Sequence, residues 1–297
     1  MSEYINSVTS ISETIIQHRT LLQSFSLTIM EFILPSLIEN ITSNSSEIKI
    51  SCIKFLSEVC ALYFNTQEQA VSEEIKRQLK TFIEHFFIDI VEGLLSQSEP
   101  LPYFSLNIIH SVLVYDITVI SVLKVRNILP GFFKLFQIYK NKIGSPVVLK
   151  LLNIVRIWSS TLDPSDLYEQ SVVDVLKSML LEISKMKKYD ETVINQILIE
   201  LLKISDNLLK YVSEFVKKAL QAKKAPGSSD SSIAQKAERL LHSNKTLSGC
   251  SQFLLNLLLN EDADINEMSC KILWMLMQLF GSECKDLLNP DNMNIIL

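Results

Sequence analysis

Four segments, Glu47–Phe64, Pro146–Ser160, Asp190–Asp206 and Asp264–Gly281, share one pattern. Each follows a polar turn, carries apolar residues around most of a helical circumference, and leaves one narrow polar stripe. A helix that is apolar over so much of its surface has to be sandwiched on two or more sides. Stacked helical pairs provide such a sandwich at every step. The 44-residue interval from Pro146 to Asp190 fits the roughly 40–47 residues of HEAT and armadillo units. The first and last intervals are looser, so the repeats are degenerate. The pattern predicts an all-α fold, a HEAT/armadillo-like right-handed α-solenoid running as a single unit over 1–297.

Helices are expected at about 3–18, 20–42, 46–64, 68–97, 102–126, 130–143, 146–161, 171–187, 190–222, 233–243, 244–259 and 262–281. Six glycines in 297 residues are too few for the tight connections of sheet folds, where average usage is about 7%. Most of the eight prolines stand between apolar runs. Pro35 falls inside one, where a ring without an N–H should kink or break the helix. Ser45-Ser46, Asp163-Pro164, Asp190 and Asp262 are suited to cap helix starts. Ala222–Ser232 (AKKAPGSSDSS) reads as an exposed loop between helices.

The chain is 47% hydrophobic with a mean hydropathy of +0.23. The longest stretch free of charged side chains, Pro100–Tyr115, contains two prolines and His110. That is short of the roughly 20 apolar residues of a membrane span, so no span is expected. With 28 Lys+Arg against 33 Asp+Glu, net charge −5, no global basic field exists to neutralise phosphates, and nucleic acid is not an expected partner. The polar, acidic start MSEYINSVTSISE fits neither a signal nor a transit peptide. Five scattered cysteines, Cys52, Cys60, Cys250, Cys270 and Cys284, lie mostly in apolar helical runs. They read as free, reduced thiols of a cytosolic protein.

No seed of catalysis is visible. The glycines are too far apart for a P-loop or GxGxxG, HExxH and CxxC are missing, and His18, His85, His110 and His242 are widely separated. Neither ATP, Mg²⁺, another cofactor nor a small-molecule substrate is expected. Cys52 and Cys60 have a Cx7C spacing unlike common zinc patterns and read as buried small hydrophobes. Trp158, Trp274, Phe132, Phe133 and Phe136 read as core. Lys217-Lys218 and Lys223-Lys224, with Lys185, Lys187 and Lys188, are either a solvated helix end or a site for an acidic partner.

The polar stripes carry the functional expectation. Gln196, Glu200, Lys203 and Asn207 are spaced four, three and four, one helical face. Lys150, Asn153, Arg156 and Ser160 form the matching stripe on the preceding repeat. Lys54 with Ser57, and Asn107 with His110 or Ser111, take comparable places. Stacked helices should align these stripes into a ladder that holds an extended or helical segment of a protein partner. Charge reversal at Arg156 and Lys203 should then weaken binding while leaving thermal stability nearly unchanged. A microtubule-binding HEAT array is the alternative. The −5 charge speaks against acidic tubulin as a ligand, and Lys217–Lys224 leave it open.

Leu208–Lys224 (LLKYVSEFVKKALQAKK), Ala237–Leu259 (AERLLHSNKTLSGCSQFLLNLLL) and Leu273–Ile296, together with LPYFSLNIIHSVL at Leu101–Leu113, resemble the helical-repeat region of the Unc-51-like kinase 4 family. The resemblance implies a long armadillo/HEAT region that in the family follows a kinase-like, generally pseudokinase, domain missing from this chain. The ending NMNIIL looks like a helix cut short, as in a fragment. The family implies a scaffold of cilia and the microtubule cytoskeleton, partnering a Fused-type serine/threonine kinase or other ciliary or cytoskeletal proteins. It offers no catalytic residues to carry over, and it implies a cytoplasmic location in the cilium or axoneme.

Overall fold

The computed structural model describes residues 7, 10, 11, 13–41, 45–67, 71–186, 191–224, 231–281 and 284. Among them every regular element is helical. The chain forms two compact units, residues 1–135 and 136–297. The expectation of one continuous solenoid therefore stands beside this division, and each unit is described by itself.

In unit 1, residues 7, 10, 11 and 13–16 are helical and precede α1 (Arg19–Ser24), a π-helical turn (Ile29–Ile33) and α2 (Leu34–Ile41). The π turn lies immediately before Pro35. A proline ring meets the carbonyl four residues back, here Glu31, and widening the turn relieves that clash without ending the helix. The helix expected to kink or break at Pro35 instead continues through it, with the π turn just ahead. Ser45 caps α3 (Ser46–Tyr63) by accepting from the Ile48 N–H at 3.5 Å. The helix buries Cys52, Ile53, Phe55, Leu56, Val59, Cys60 and Leu62. Tyr63, also buried, donates to the Leu22 carbonyl at 2.7 Å, tying α3 to α1. A helical stretch follows: α4 (Glu73–Phe82), a π turn (Ile83–Phe87) and α5 (Ile88–Leu95). Next, α6 (Leu101–Tyr115) packs against α3 and α5.

The helix expected over 102–126 is two helices, α6 and α7 (Val119–Val125). Asp116 adopts an extended backbone, and its Oδ1 accepts from the Thr118 N–H at 2.9 Å and the Thr118 hydroxyl at 2.7 Å. An Asx turn of this kind offers the backbone an alternative to the helix. Asp116 Oδ2 also accepts from Lys80 Nζ at 2.5 Å, joining the break to α4. Lys80 first, and then Thr118, hold the Asp116 carboxyl down to about 2. Because the folded value is depressed, the contribution is complete above the unfolded value of about 4 and is lost as pH falls toward 2. For a part-exposed pair it is worth about 1–2 kcal/mol. Asp116→Asn should therefore lower stability by about that much at pH 7 and by almost nothing at pH 2. Urea titrations at both pH values check this, and an equal loss at both would refute the assignment.

Helix α8 (Leu129–Tyr139) leads from unit 1 into unit 2. Phe132, Phe133 and Phe136 are buried as expected. Unit 2 contains α9 (Pro146–Ser159), α10 (Ser165–Glu169), α11 (Val172–Ile183), α12 (Glu191–Lys224), α13 (Ser231–Asn244), a 3₁₀ turn (Lys245–Cys250), α14 (Ser251–Leu257) and α15 (Ala263–Phe280). Ser145 and Asp262 cap α9 and α15 through their side chains, the latter as expected. Asp190 lies outside the described residues. The 34-residue α12 packs with α9, α13 and α15, and its buried Leu198, Leu201, Leu202, Leu208 and Leu209 form the middle of this unit. Of the loop expected at 222–232, Ala222–Lys224 belong to the end of α12 and Ser231 and Ser232 to the start of α13, while residues 225–230 lie outside the described residues.

Two side-chain expectations need correction. Trp158 is core, but Trp274 projects from α15 into solvent. Cys52, Cys60, Cys250 and Cys284 are buried, whereas Cys270 is exposed; all five are free. Burial pushes the Cys52 and Cys250 thiols up to about 11 and raises the Cys60 thiol well above its ordinary value. Since the thiolate is the reactive form, a disulfide-exchange reagent at neutral pH should react first at Cys270. The other four should follow only on unfolding, for a total of five without reductant. A fast phase that survives Cys270→Ser would contradict this arrangement.

Candidate functional site

The expected ladder residues fall into two groups. Lys54, Asn107 and His110 belong to unit 1, and Lys150, Asn153, Arg156, Gln196, Glu200 and Lys203 to unit 2. Lys54, Gln196 and Lys203 are exposed, while Asn107, His110, Lys150, Asn153, Arg156 and Glu200 are half-buried.

Several of these side chains join neighbouring helices. In unit 1, Asn107 Nδ2 on α6 donates to Ser57 Oγ on α3 at 2.8 Å. In unit 2, Asn207 Nδ2 on α12 donates to Ser159 Oγ on α9 at 3.0 Å. Both serines are buried. The same clasp thus holds one helix pair in each unit, the recurrence expected of a repeat. Arg156 Nε on α9 lies 2.6 Å from Glu200 Oε2 on α12, and Glu200 Oε1 lies 3.4 Å from Lys203 Nζ.

The strip continues onto α15, which sequence reasoning missed. Asp206 pairs with Lys210 on α12 at 2.5 Å, and Glu267 pairs with Lys271 on α15. Glu267 above all, and Asp206 from the packed helix beside it, hold the Lys271 ammonium above its ordinary value. A sequence signal existed. Glu267, Lys271, Trp274 and Gln278 repeat the four-three-four spacing of Gln196, Glu200, Lys203 and Asn207. The tryptophan in the third position masked it.

A second polar cluster forms around Tyr211 of α12, one residue past Lys210. Asp163 Oδ1 accepts from Tyr211 OH at 2.7 Å and lies 3.6 Å from Lys236 Nζ. Burial raises the Asp163 carboxyl, but Ser165, Tyr211 and Lys236 outweigh this and hold it below its ordinary value. Lys236 stands 4.6 Å from the centre of the Phe215 ring, and Tyr211 stacks on Tyr168. Each member is therefore satisfied by the others, and the cluster ties α10, α12 and α13 together. Lys217 and Lys218 of the expected basic cluster are exposed, and Lys218 lies 5.3 Å from the Phe215 ring centre. Lys187 and Lys188 lie outside the described residues, as do the side chains of Lys223 and Lys224. Among the described residues no group of three or more His, Cys, Asp or Glu converges to hold a metal, and no helix is long and apolar enough to cross a membrane.

Helical pairs stacked in series, clasped at equivalent positions and presenting polar stripes on adjacent helices, define an all-α helical-repeat protein of the HEAT type. The sequence signature of the HEAT repeats of serine/threonine-protein kinase ULK4-like proteins matches residues 1–121. Mouse (Mus musculus) serine/threonine-protein kinase ULK4 is 28% identical over 304 aligned residues, which cover 98% of this chain and 23% of the mouse protein. The matches support a ULK4-like HEAT-repeat region. The signature falls mostly before Leu101, outside the segments that carry the resemblance in the sequence, and the mouse protein extends the similarity across nearly the whole chain. The chain thus spans about a quarter of the length of the curated relative it matches.

Proposed function

We propose that this region is a non-catalytic protein–protein interaction scaffold whose contact surface is the polar ladder of its repeat helices. The observation that carries the reading is the strip on α9, α12 and α15, where Arg156 of α9 meets Glu200 of α12, and Asp206 of α12 acts on Lys271 of the packed α15. HEAT arrays use surfaces of this kind to hold partner segments. The resemblance to the Unc-51-like kinase 4 family adds a Fused-type serine/threonine kinase as the first partner to test, in cilia and at the microtubule cytoskeleton.

The test is affinity capture from ciliated cells with quantitative mass spectrometry, comparing the natural chain with Lys54→Glu/Lys203→Glu. Both lysines are exposed, so the variant should stay folded. At least one captured protein should fall tenfold or more, about 1.4 kcal/mol of binding. Identical capture by both forms would refute the ladder as the contact surface.

A further inference from the structure

We draw no further inference here: the strongest candidate, the open groove of unit 2 between α10 and α13, sets Lys236 and Arg239 against Glu169 and Glu238, so that its charge selects no class of ligand, and nothing in the structure shows what covers it.

Discussion

Trp158→Ala should destabilise unit 2 by about 3–5 kcal/mol, while Trp274→Ala should change its stability by no more than about 0.5 kcal/mol. Both residues sit in apolar runs of repeat helices, so the sequence treats them alike. Trp158 stands on α9 beside Val155 and Ile154, both fully buried, and is the largest fully buried side chain of the described residues. Its removal leaves a cavity that a helix fixed on one side by the Ser159–Asn207 clasp is poorly placed to collapse. Trp274 leaves only a surface vacancy. Urea unfolding of the full chain, followed by circular dichroism so that loss of a fluorophore does not interfere, separates the two. A Trp158→Ala loss below about 1 kcal/mol would mean that α9 is not packed as described.

Arg156→Glu is expected to cost about 2–3 kcal/mol, less than the roughly 3–5 kcal/mol of a fully buried pair because Arg156 is only half-buried. It brings a second carboxylate against Glu200, whose remaining partner is Lys203 at 3.4 Å. Lys203→Glu, on a mainly exposed side chain, should cost about 1 kcal/mol or less. The geometry thus revises the expectation that reversing Arg156 with Lys203 would weaken binding and spare stability. At Arg156 the two effects cannot be separated, and tests of the ladder belong on Lys54 and Lys203. A double-mutant cycle of Arg156→Gln and Glu200→Gln should give a coupling of about 1 kcal/mol or more. Additivity within about 0.3 kcal/mol would show that the pair contributes nothing.

Much of the fold was legible because helix period and capping are local. The starts at Ser46 and Ala263 follow from Ser45 and Asp262, whose side chains accept from backbone N–H groups two or three residues on. The π turn ahead of Pro35 goes with the ring that the sequence places inside a helical run. The break at Asp116 was harder to see. Its Asx turn is local, but the ion pair to Lys80 is not, and no count of apolar spacing across 102–126 contains it. The ladder was half legible for the same reason. Spacing placed Gln196, Glu200, Lys203 and Asn207 on one face, and they do share it.

By itself, the sequence determined an all-α chain, most helix starts and the stripe each helix offers. All of these depend on residues within one or two turns of one another. Only the tertiary structure decided which stripe residues are consumed between helices and which remain for a partner. Asn107, Asn207, Arg156 and Glu200 turn inward to a neighbouring helix, while Lys54, Lys203 and Trp274 stay in solvent. Polarity fixes which face of a helix avoids the core. The depth of a side chain on that face depends on how closely the next helix approaches, and for these pairs residues 44 to 50 positions away in the chain set that distance.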